Sequence, residues 1–221
     1  DLGTDLGTAW QLMDFDASSW MLGTAELGYG DGDESTVLSF GDDEDDKHIT
    51  TYFRKIIDVE TSEAGTVNGV IQLRRDDGAV VYFNGEELFR DNMPSGEIDF
   101  ETLASDATTG GGESSWTTHP VTMELIAGAN ILAVEIHQIS PTSSDISFDL
   151  ELTLTMAVEE IQTTENPLAL ELGGDAGYFA RYQPTGVCTL QARVLVLALQ
   201  AQALVLALQA QVLVLALQAQ V

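Results

Sequence analysis

The sequence predicts an all-β fold: an antiparallel β-sandwich of the jelly-roll kind, followed by a non-globular C-terminal tail. Three observations predict it. Runs of β-branched and aromatic residues recur between turn residues, the clearest run alternates apolar and polar side chains, and no segment before residue 157 carries apolar residues at helical spacing. About eight such strands, with long loops at 23–47 and 104–116, favour a jelly roll over an immunoglobulin sandwich, because the Cys–Trp–Cys core of the latter is absent.

The predicted strands follow from local composition. The strongest signal is 147–156, where Phe148, Leu150 and Leu152 alternate with acidic or hydroxyl side chains, which makes one face apolar and the other wet. The remaining runs are rich in Val, Ile, Tyr and Phe and are bounded by Gly, Asp, Asn or Pro. They lie at 49–59, 67–74, 79–83, 121–126 and 130–139.

Two dipeptides predict turns. Asn84-Gly85 tolerates positive φ and separates two β-type runs by two residues, so a tight hairpin is expected there. Asp77-Gly78 has the same chemistry, and Asp77 is expected to cap its own backbone in the turn.

The charge of the chain excludes two classes of partner. There are 36 acidic and 8 basic side chains, a formal charge of -28, and 31 of the acidic residues precede residue 158. Proteins bind nucleic acids and anionic membrane surfaces through Lys and Arg, so neither partner fits. Dense carboxylates fit a cation-rich setting such as seawater or a calcium-containing extracellular medium.

The composition divides the chain into four segments. Residues 1–8 are predicted to be an N-terminal linker, and 9–157, which holds nearly all the charge, is predicted to be the folded module. Residues 158–193 contain Gly and Pro among short apolar pieces, which indicates a linker or the start of another module. Residues 194–221 form an uncharged repeat of nine residues, LVLALQAQV.

Several interpretations of this repeat remain open. Pairs of Gln interrupt its apolar runs well below the ~18 residues that a membrane helix needs, so no membrane span is expected. If the repeat forms strands or a helix, its period of nine residues makes the apolar face of each repeat point opposite to that of the next. A further hypothesis is that a Pro/Gly-rich linker has been translated out of frame, because the other frames of these codons include Pro and Gly triplets.

Five motifs, taken in order, resemble the galactose-binding-like jelly-roll modules of large secreted bacterial proteins. They are the aromatic series Trp10, Phe15 and Trp20, then LGYGDGDES, ITTYFRK, LRRDDGAVVYFNGEELFRDNMPSG and NILAVEIHQISPTSSDISFDLEL. The resemblance covers residues 9–157 and neither the linker nor the repeat. It implies a non-catalytic accessory unit that binds carbohydrate or calcium, or that spaces other domains of the same polypeptide.

Acidic loops are the candidate metal ligands. Asp31, Asp33 and Glu34 lie in a Gly-rich loop, and calcium takes six to eight oxygen ligands from such loops. Calcium is therefore the expected cofactor. The acidic run at 42–46 is expected to face solvent, as like-charge runs usually do.

Four residues are the candidate ligand contacts. Trp116 follows a flexible loop and is the candidate stacking platform for a sugar, while Asp77, Asn84 and His137 are candidate contacts at the rim of the sandwich. Glu135 and His137 lie two residues apart on one strand, so they share a face and form the basis for a metal-dependent hydrolase as a third alternative.

These expectations combine into one predicted function. The chain is expected to be an extracellular or cell-surface accessory module that binds a glycan or cell-surface polysaccharide and is not an enzyme. The alternative is a structural or adhesion spacer without a small ligand. No nucleic acid partner is expected.

Overall fold

The structure is a computed structural model that describes residues 4–155 and the backbone of two short segments, 213–216 and 218–220. Three 3₁₀ turns occur at Ala9–Gln11, Thr61–Glu63 and Gly110–Gly112. The strands, in chain order, are β1 (Leu22–Thr24), β2 (Leu27–Tyr29), β3 (Thr36–Val37), β4 (Thr50–Val59), β5 (Gly65–Asp76), β6 (Gly78–Phe83), β7 (Glu86–Asp91), β8 (Thr117–Leu125), β9 (Gly128–His137), β10 (Ile146–Thr155), β11 (Leu213–Ala216) and β12 (Gln218–Gln220).

These strands form two sheets, which confirms the predicted all-β sandwich. The first, sheet A, has the order β1-β12-β4-β9-β6-β7. The second, sheet B, has the order β3-β2-β10-β5-β8, and β11 pairs with the later half of β10. All pairings are antiparallel except that of β2 with β3.

The hydrophobic core lies between the two sheets. On β10 the alternate residues from Phe148 to Leu154 are buried in it, as the period of two predicts. Phe53 of sheet A meets Phe148 of sheet B with ring centroids 4.3 Å apart, so the inner faces are in direct contact. On β9, Leu132, Val134 and Ile136 face this core.

The hairpin predicted at Asn84-Gly85 is confirmed. Both residues have positive φ, 50° and 85°, and they connect β6 to β7. The side chain of Asn84 holds the neighbouring strand as well: its Oδ1 accepts from the backbone N–H of Ile131, and its Nδ2 donates to Asn130 Oδ1. These are the two bonds expected of an amide that fixes a turn.

The structure refines one local prediction and corrects another. At the turn predicted for Asp77-Gly78 the chain crosses between the sheets, because β5 belongs to sheet B and β6 to sheet A. The predicted loop at 23–47 contains three short strands, β1, β2 and β3, whose lengths of two or three residues are too short for a period of two to be recognised.

The outer face of sheet A is covered by the N-terminal segment. Trp10 is fully buried and packs on Tyr52 and Tyr82, at centroid distances of 4.6 and 5.7 Å. Arg54 of β4 donates to the backbone carbonyls of Leu12 and Phe15, which fastens the segment to the sheet. Leu6, inside the predicted linker 1–8, also packs on this cluster.

Most of the C-terminal region lies outside the described residues, including the whole predicted linker at 158–193. Within the nine-residue repeat the structure describes backbone only: β11 pairs with β10, and β12 pairs with β1 and β4. In the described part of the chain, no helix combines the length and the apolar character that crossing a bilayer requires.

Replacing Trp10 tests the covering role of the N-terminal segment. We expect Trp10→Ala to lower the free energy of unfolding by about 3–5 kcal/mol, because it removes the largest side chain from a buried aromatic cluster. Trp116→Ala, at a tryptophan that is 43% exposed, should change it by less than about 1 kcal/mol. Urea unfolding followed by circular dichroism measures both, and equal losses would contradict this assignment.

Candidate functional site

The candidate site lies on the outer face of sheet B, which the N-terminal segment does not cover. Because Phe148 and Leu150 face the core, Ser147 and Asp149 face outward. Ser147 pairs with Asp76 of β5, so the two side chains share the outer face at the end of the strands. This position is the floor of the site.

Three loops bring further carboxylates to this floor. Asp31 Oδ2 accepts a hydrogen bond of 2.9 Å from the hydroxyl of Ser147. One oxygen each of Asp31, Glu113 and Asp145 lie within 4.8 Å of one another. The loop containing Asp31 approaches closely because Gly30, at φ 113°, has no side chain: a Cβ there would lie 2.6 Å from the Cβ of Asp145.

We call Asp31, Asp76, Glu113 and Asp145 the acidic rim. Asp76 differs from the others because it is 1% exposed and its Oδ1 has no hydrogen-bond partner. Burial raises the pKa of the Asp76 carboxyl well above its usual range, and the negative charges of Asp77, Asp145 and Glu113 raise it further. A buried carboxylate without a partner is costly, so this side chain is either protonated or neutralised by a ligand.

Trp116 stands beside the acidic rim with 43% of its surface exposed. The guanidinium of Arg74 lies 5.5 Å from the centre of the indole ring. Arg74 in turn forms a salt bridge with Glu26, and Glu26 lies within metal-ligand distance of Asp31 and Asp33. The stacked and paired guanidinium braces one face of the indole, and the exposed surface is available to a ligand.

Asp77 has a structural role at the crossing between the sheets, and its role as a ligand contact stays a prediction. It is 2% exposed, and both carboxylate oxygens accept backbone hydrogen bonds, from Thr108 at 2.6 Å and from Ile139 at 2.7 Å. Its own carbonyl accepts from Arg75 and from Asn92. Asp77 therefore ties together two loops at the crossing between the sheets, and it caps distant backbone instead of its own.

Asn84 and His137 also make hydrogen bonds within the fold, and their roles as ligand contacts stay predictions. Asn84 makes the two hairpin bonds described above. His137 is 0% exposed, and its Nδ1 lies within hydrogen-bonding distance of Thr50 Oγ1 and of the carbonyl of Thr102. Its Nε2 is 3.5 Å from Glu135 Oε2, and Tyr82 donates to the other oxygen of Glu135. The predicted Glu135–His137 pair thus exists but is closed to solvent.

Two of the three predicted metal ligands lie together in the structure. Asp31 and Asp33 form a group with Glu26, in which one oxygen of each carboxylate lies within 4.8 Å of the others. Asp31 also belongs to the acidic rim, and Asp33 is exposed. Glu34 accepts from the backbone N–H groups of Asp31 and Gly32 with its two oxygens, so it shapes the loop and is not placed as a ligand. The acidic run at 42–46 faces solvent as expected.

A hollow of about 230 Å³ lies elsewhere, at the start of β4. Polar and charged side chains dominate its lining, and none of the predicted site residues is among them; it is bounded by Thr4, Asp46, Lys47, His48, Thr50 and Glu101. Burial lowers the pKa of His48 below its usual value. The hollow has neither an exposed aromatic ring nor an unpartnered buried carboxylate, so it does not compete with the acidic rim.

Sequence reasoning missed Glu26, Asp76 as a separate residue, Glu113 and Asp145. Glu26 lies only five residues before Asp31, but the other three lie more than 40 residues after it and are brought towards it by the sandwich. One signal was available for Asp145: it follows two serines just before the strongest predicted strand, a position at the rim of a sheet. For Asp76 the signal was its position directly before Asp77. One carboxylate suffices to fix a turn, so the other of two adjacent carboxylates can have a different role.

Comparisons with known proteins give a similarity of fold to solved structures. No family model matches the chain, and no curated protein matches it. One similar structure is an α-L-rhamnosidase of Streptomyces avermitilis in complex with L-rhamnose, at 18% identity, over 50% of this chain and 9% of that one, with a TM-score of 0.33. Another is a family 35 carbohydrate-binding module from an environmental isolate, at 19% identity, over 65% of this chain and 96% of that one, with a TM-score of 0.28.

The chain spans less than a tenth of the length of the rhamnosidase. With identities below 20% and TM-scores of this size, neither match identifies a ligand for this chain. The site must be interpreted from its own residues.

Asp77→Asn tests the structural role of Asp77. The amide retains one acceptor but presents an NH₂ group to the second backbone N–H, which leaves a buried donor without a partner. We expect the free energy of unfolding to fall by about 1–3 kcal/mol. Thermal unfolding in chelator measures it, and an unchanged midpoint would contradict the role.

Asp76→Asn, one residue earlier, should have the opposite effect in metal-free buffer. Because the pKa of Asp76 is higher in the folded than in the unfolded chain, its contribution to stability is present at low pH and is lost as the pH rises above the usual Asp value of about 3.9. Asp76→Asn removes this loss, so the variant should be the more stable at pH 7 and should lose less stability than wild type between pH 5 and 8. Urea unfolding across that range checks both statements, and a steeper loss in the variant would contradict them.

Proposed function

We propose that the module formed by residues 9–157 is a non-catalytic carbohydrate-binding unit of a larger extracellular protein, with Trp116 as its sugar platform. The observation that carries the proposal is the position of Trp116: an exposed indole braced by Arg74, whose salt-bridge partner Glu26 lies within 4.8 Å of the carboxylates of Asp31 and Asp33. Such a surface offers apolar and polar contacts side by side.

The chemistry of a sugar matches this arrangement. The C–H groups on one face of a pyranose ring pack on an aromatic face, while its hydroxyls need hydrogen-bond acceptors nearby. Asp31, Glu113 and Asp145 supply acceptor oxygens, because ionised carboxylates accept and do not donate. Trp116 thus provides the stacking surface, and the acidic rim provides orientation.

The charge of the chain narrows the class of glycan. With 36 acidic against 8 basic side chains, a polyanionic polysaccharide would meet a like-charged surface at long range. A neutral polysaccharide avoids this repulsion and still satisfies the carboxylate acceptors. We therefore infer a neutral glycan at a cell surface or in the extracellular medium as the partner.

A hydrolase is disfavoured by the burial of its proposed machinery. Glu135 and His137 form a close pair, but the hydrophobic N-terminal cover and β4 enclose them, and their polar atoms contact Tyr82 and Thr50. A general acid or base must come within hydrogen-bonding distance of the substrate. These two side chains contact protein groups instead and serve as an internal polar network.

Glycan binding is tested with Trp116→Ala on a panel of neutral and acidic polysaccharides. Affinity gel electrophoresis of the full chain should show retardation by at least one neutral polysaccharide, and Trp116→Ala should weaken this binding at least tenfold, or about 1.4 kcal/mol. Trp116→Phe should retain part of it, because an aromatic face remains.

Ile126→Ala is the matched control, since Ile126 is also an exposed apolar side chain of sheet B but lies at the end of β8 away from the acidic rim. It should bind as wild type does. No retardation across the panel, or equal losses in both variants, would contradict the proposal and favour a spacer without a small ligand.

A further inference from the structure

We propose that one side of the sandwich, where β4 and β10 end their sheets, is a strand-binding site for the nine-residue repeat, and that a second copy of this chain supplies that repeat by strand exchange. We call this side the strand-acceptor side and define it by the free edges of Thr50–Val59 and of residues 149–155. The inference goes beyond the glycan proposal and does not rest on it, because it concerns strand edges and not the outer face of sheet B.

The second half of β10 has one open edge within the sandwich. On one side, β10 pairs with β5 from residue 147 to residue 155. On the other side, β2 pairs with residues 146–148, and β11 pairs with residues 151–154. Leu152 and Leu154 hold this half of the strand in the core. Without β11, a core strand would present unpaired backbone groups along this edge.

β4 has an open edge of the same kind. On one side, β9 pairs with all ten residues of β4. On the other side, the partner among the described strands is β12, which lies between β4 and β1 and is in register with β4 at Gln220 and Arg54. Most residues of β4 are buried, so its free edge is long and belongs to the core. Edges of this kind add strands from other chains.

A single segment of the repeat occupies both edges. Leu213–Ala216 pairs with β10 in sheet B, Gln218–Gln220 pairs with β1 and β4 in sheet A, and one residue separates the two strands. Backbone atoms on either side of one residue are at most about 7 Å apart, so the two edges lie next to each other. The strand-acceptor side therefore takes nearly the whole of one repeat.

The chain carries more repeats than one such side can hold. LVLALQAQV occurs at 204–212 and again at 213–221, and the segment 195–203 differs from it only at its last position. One sandwich has one strand-acceptor side, which takes one repeat. The remaining two have the same sequence and therefore match the same side of other copies. This surplus favours a second copy of the chain as the source of the strand.

Exchange between copies costs no strand pairing. Because 204–212 and 213–221 are identical, a repeat from a second copy forms the same backbone hydrogen bonds as the chain's own repeat. The chain's own repeat is favoured by its tether, which gives an effective concentration of at most the order of 1 mM. Exchange is therefore detectable as the protein concentration approaches that range. Each exchanged chain frees its own repeat for a further copy, so the assembly grows head to tail.

The charge distribution makes the repeat the part of the chain best suited to approach another copy. Of the 36 acidic residues, 31 precede residue 158, whereas residues 195–221 contain no charged side chain. Two sandwiches therefore repel each other at long range, while the repeat adds no repulsion of its own. Salt screens the repulsion between the sandwiches, so exchange should increase with ionic strength.

Cysteines placed on facing strands test the exchange directly. Thr153 and Val214 are register partners, and paired Cα atoms of antiparallel strands are about 4.5–5.5 Å apart, a separation that a disulfide spans. Two full-length chains are prepared, one with Thr153→Cys and one with Val214→Cys, and both carry Cys188→Ser to remove the native thiol. They are mixed in urea, refolded together and oxidised, and an affinity tag on one chain distinguishes heterodimers from homodimers.

We expect a disulfide-linked heterodimer on non-reducing gels. Its yield should be at least fivefold higher after refolding at about 0.5 mM than at about 0.05 mM, because exchange competes with the tethered repeat. Val205→Cys, at the same place in the preceding repeat, should replace Val214→Cys without loss of yield. Circular dichroism of each variant confirms that it folds.

Thr122→Cys is the matched control. Thr122 is also a threonine of a strand in sheet B, but it is exposed on β8, at the opposite edge of the sheet. Mixed with Val214→Cys, it should give less than a tenth of the heterodimer that Thr153→Cys gives. The double variant Thr153→Cys/Val214→Cys, refolded at low concentration, should form its disulfide within one chain.

Three outcomes would overturn the proposal. If the double variant closes its disulfide but the mixed chains give no heterodimer at the higher concentration, the strand-acceptor side holds only the chain's own repeat. If Thr122→Cys cross-links as well as Thr153→Cys, the repeats associate without a specific site. If folded variants form no disulfide in any mixture, the repeat does not pair with β10. Trp116→Ala should leave the yield unchanged, so failure of the glycan proposal is distinguishable from failure of this one.

Discussion

The rim of the sandwich depends on the hydrogen bonds of the Asp77 carboxylate. At this residue the chain passes from sheet B to sheet A, and the two oxygens of Asp77 hold the backbones of Thr108 and Ile139 from either side. Arg75 and Asn92 fasten the carbonyl of the same residue. With the crossing fixed in this way, the preceding residue, Asp76, is held on the outer face of sheet B, where its Oδ1 has no hydrogen-bond partner among the described residues.

The two outer faces of the sandwich have different roles for a simple physical reason. The outer face of sheet A is apolar and aromatic, so it needs a cover, which the N-terminal segment supplies through Trp10 and the carbonyls bound by Arg54. The outer face of sheet B carries Arg74, Asp76, Ser147 and Asp149, which tolerate water and bind polar groups. Among the described residues, the N-terminal cover lies on sheet A, and the proposed sugar platform Trp116 lies at sheet B.

Much of the fold could be predicted from the sequence because a period of two is a local property. The runs at 49–59 and 130–139 correspond to strands that begin and end within two residues of those bounds, and the last strand, predicted at 147–156, is Ile146–Thr155. Strands of two or three residues carry no measurable period, so β1 to β3 were not recognised. Asn84-Gly85 was predicted correctly because its conformation is fixed by the two residues themselves.

The site was less predictable because it is assembled from distant residues. Asp31 was identified from its loop, but its partners Glu113 and Asp145 lie about 80 and 114 positions further along the chain and are brought to it by strand pairing. The exposure of Trp116 was predicted from the flexible loop before it and is confirmed. Asp77, Asn84 and His137 all make internal hydrogen bonds. A polar residue at a strand end serves such bonds as often as it serves a ligand, so the sequence does not separate the two roles.

The position of β10 has a consequence for how the chain folds. It is the last strand of the predicted module to be synthesised, yet it lies in the middle of sheet B, between β2 and β5. Until residue 155 has left the ribosome or the export channel, β2 and β5 have no common partner, and their apolar faces remain open. Such non-local pairing slows folding and exposes intermediates to aggregation. The module therefore closes in a late, concerted step, and a truncation within β10 would leave two unpaired strand edges in place of a shortened domain.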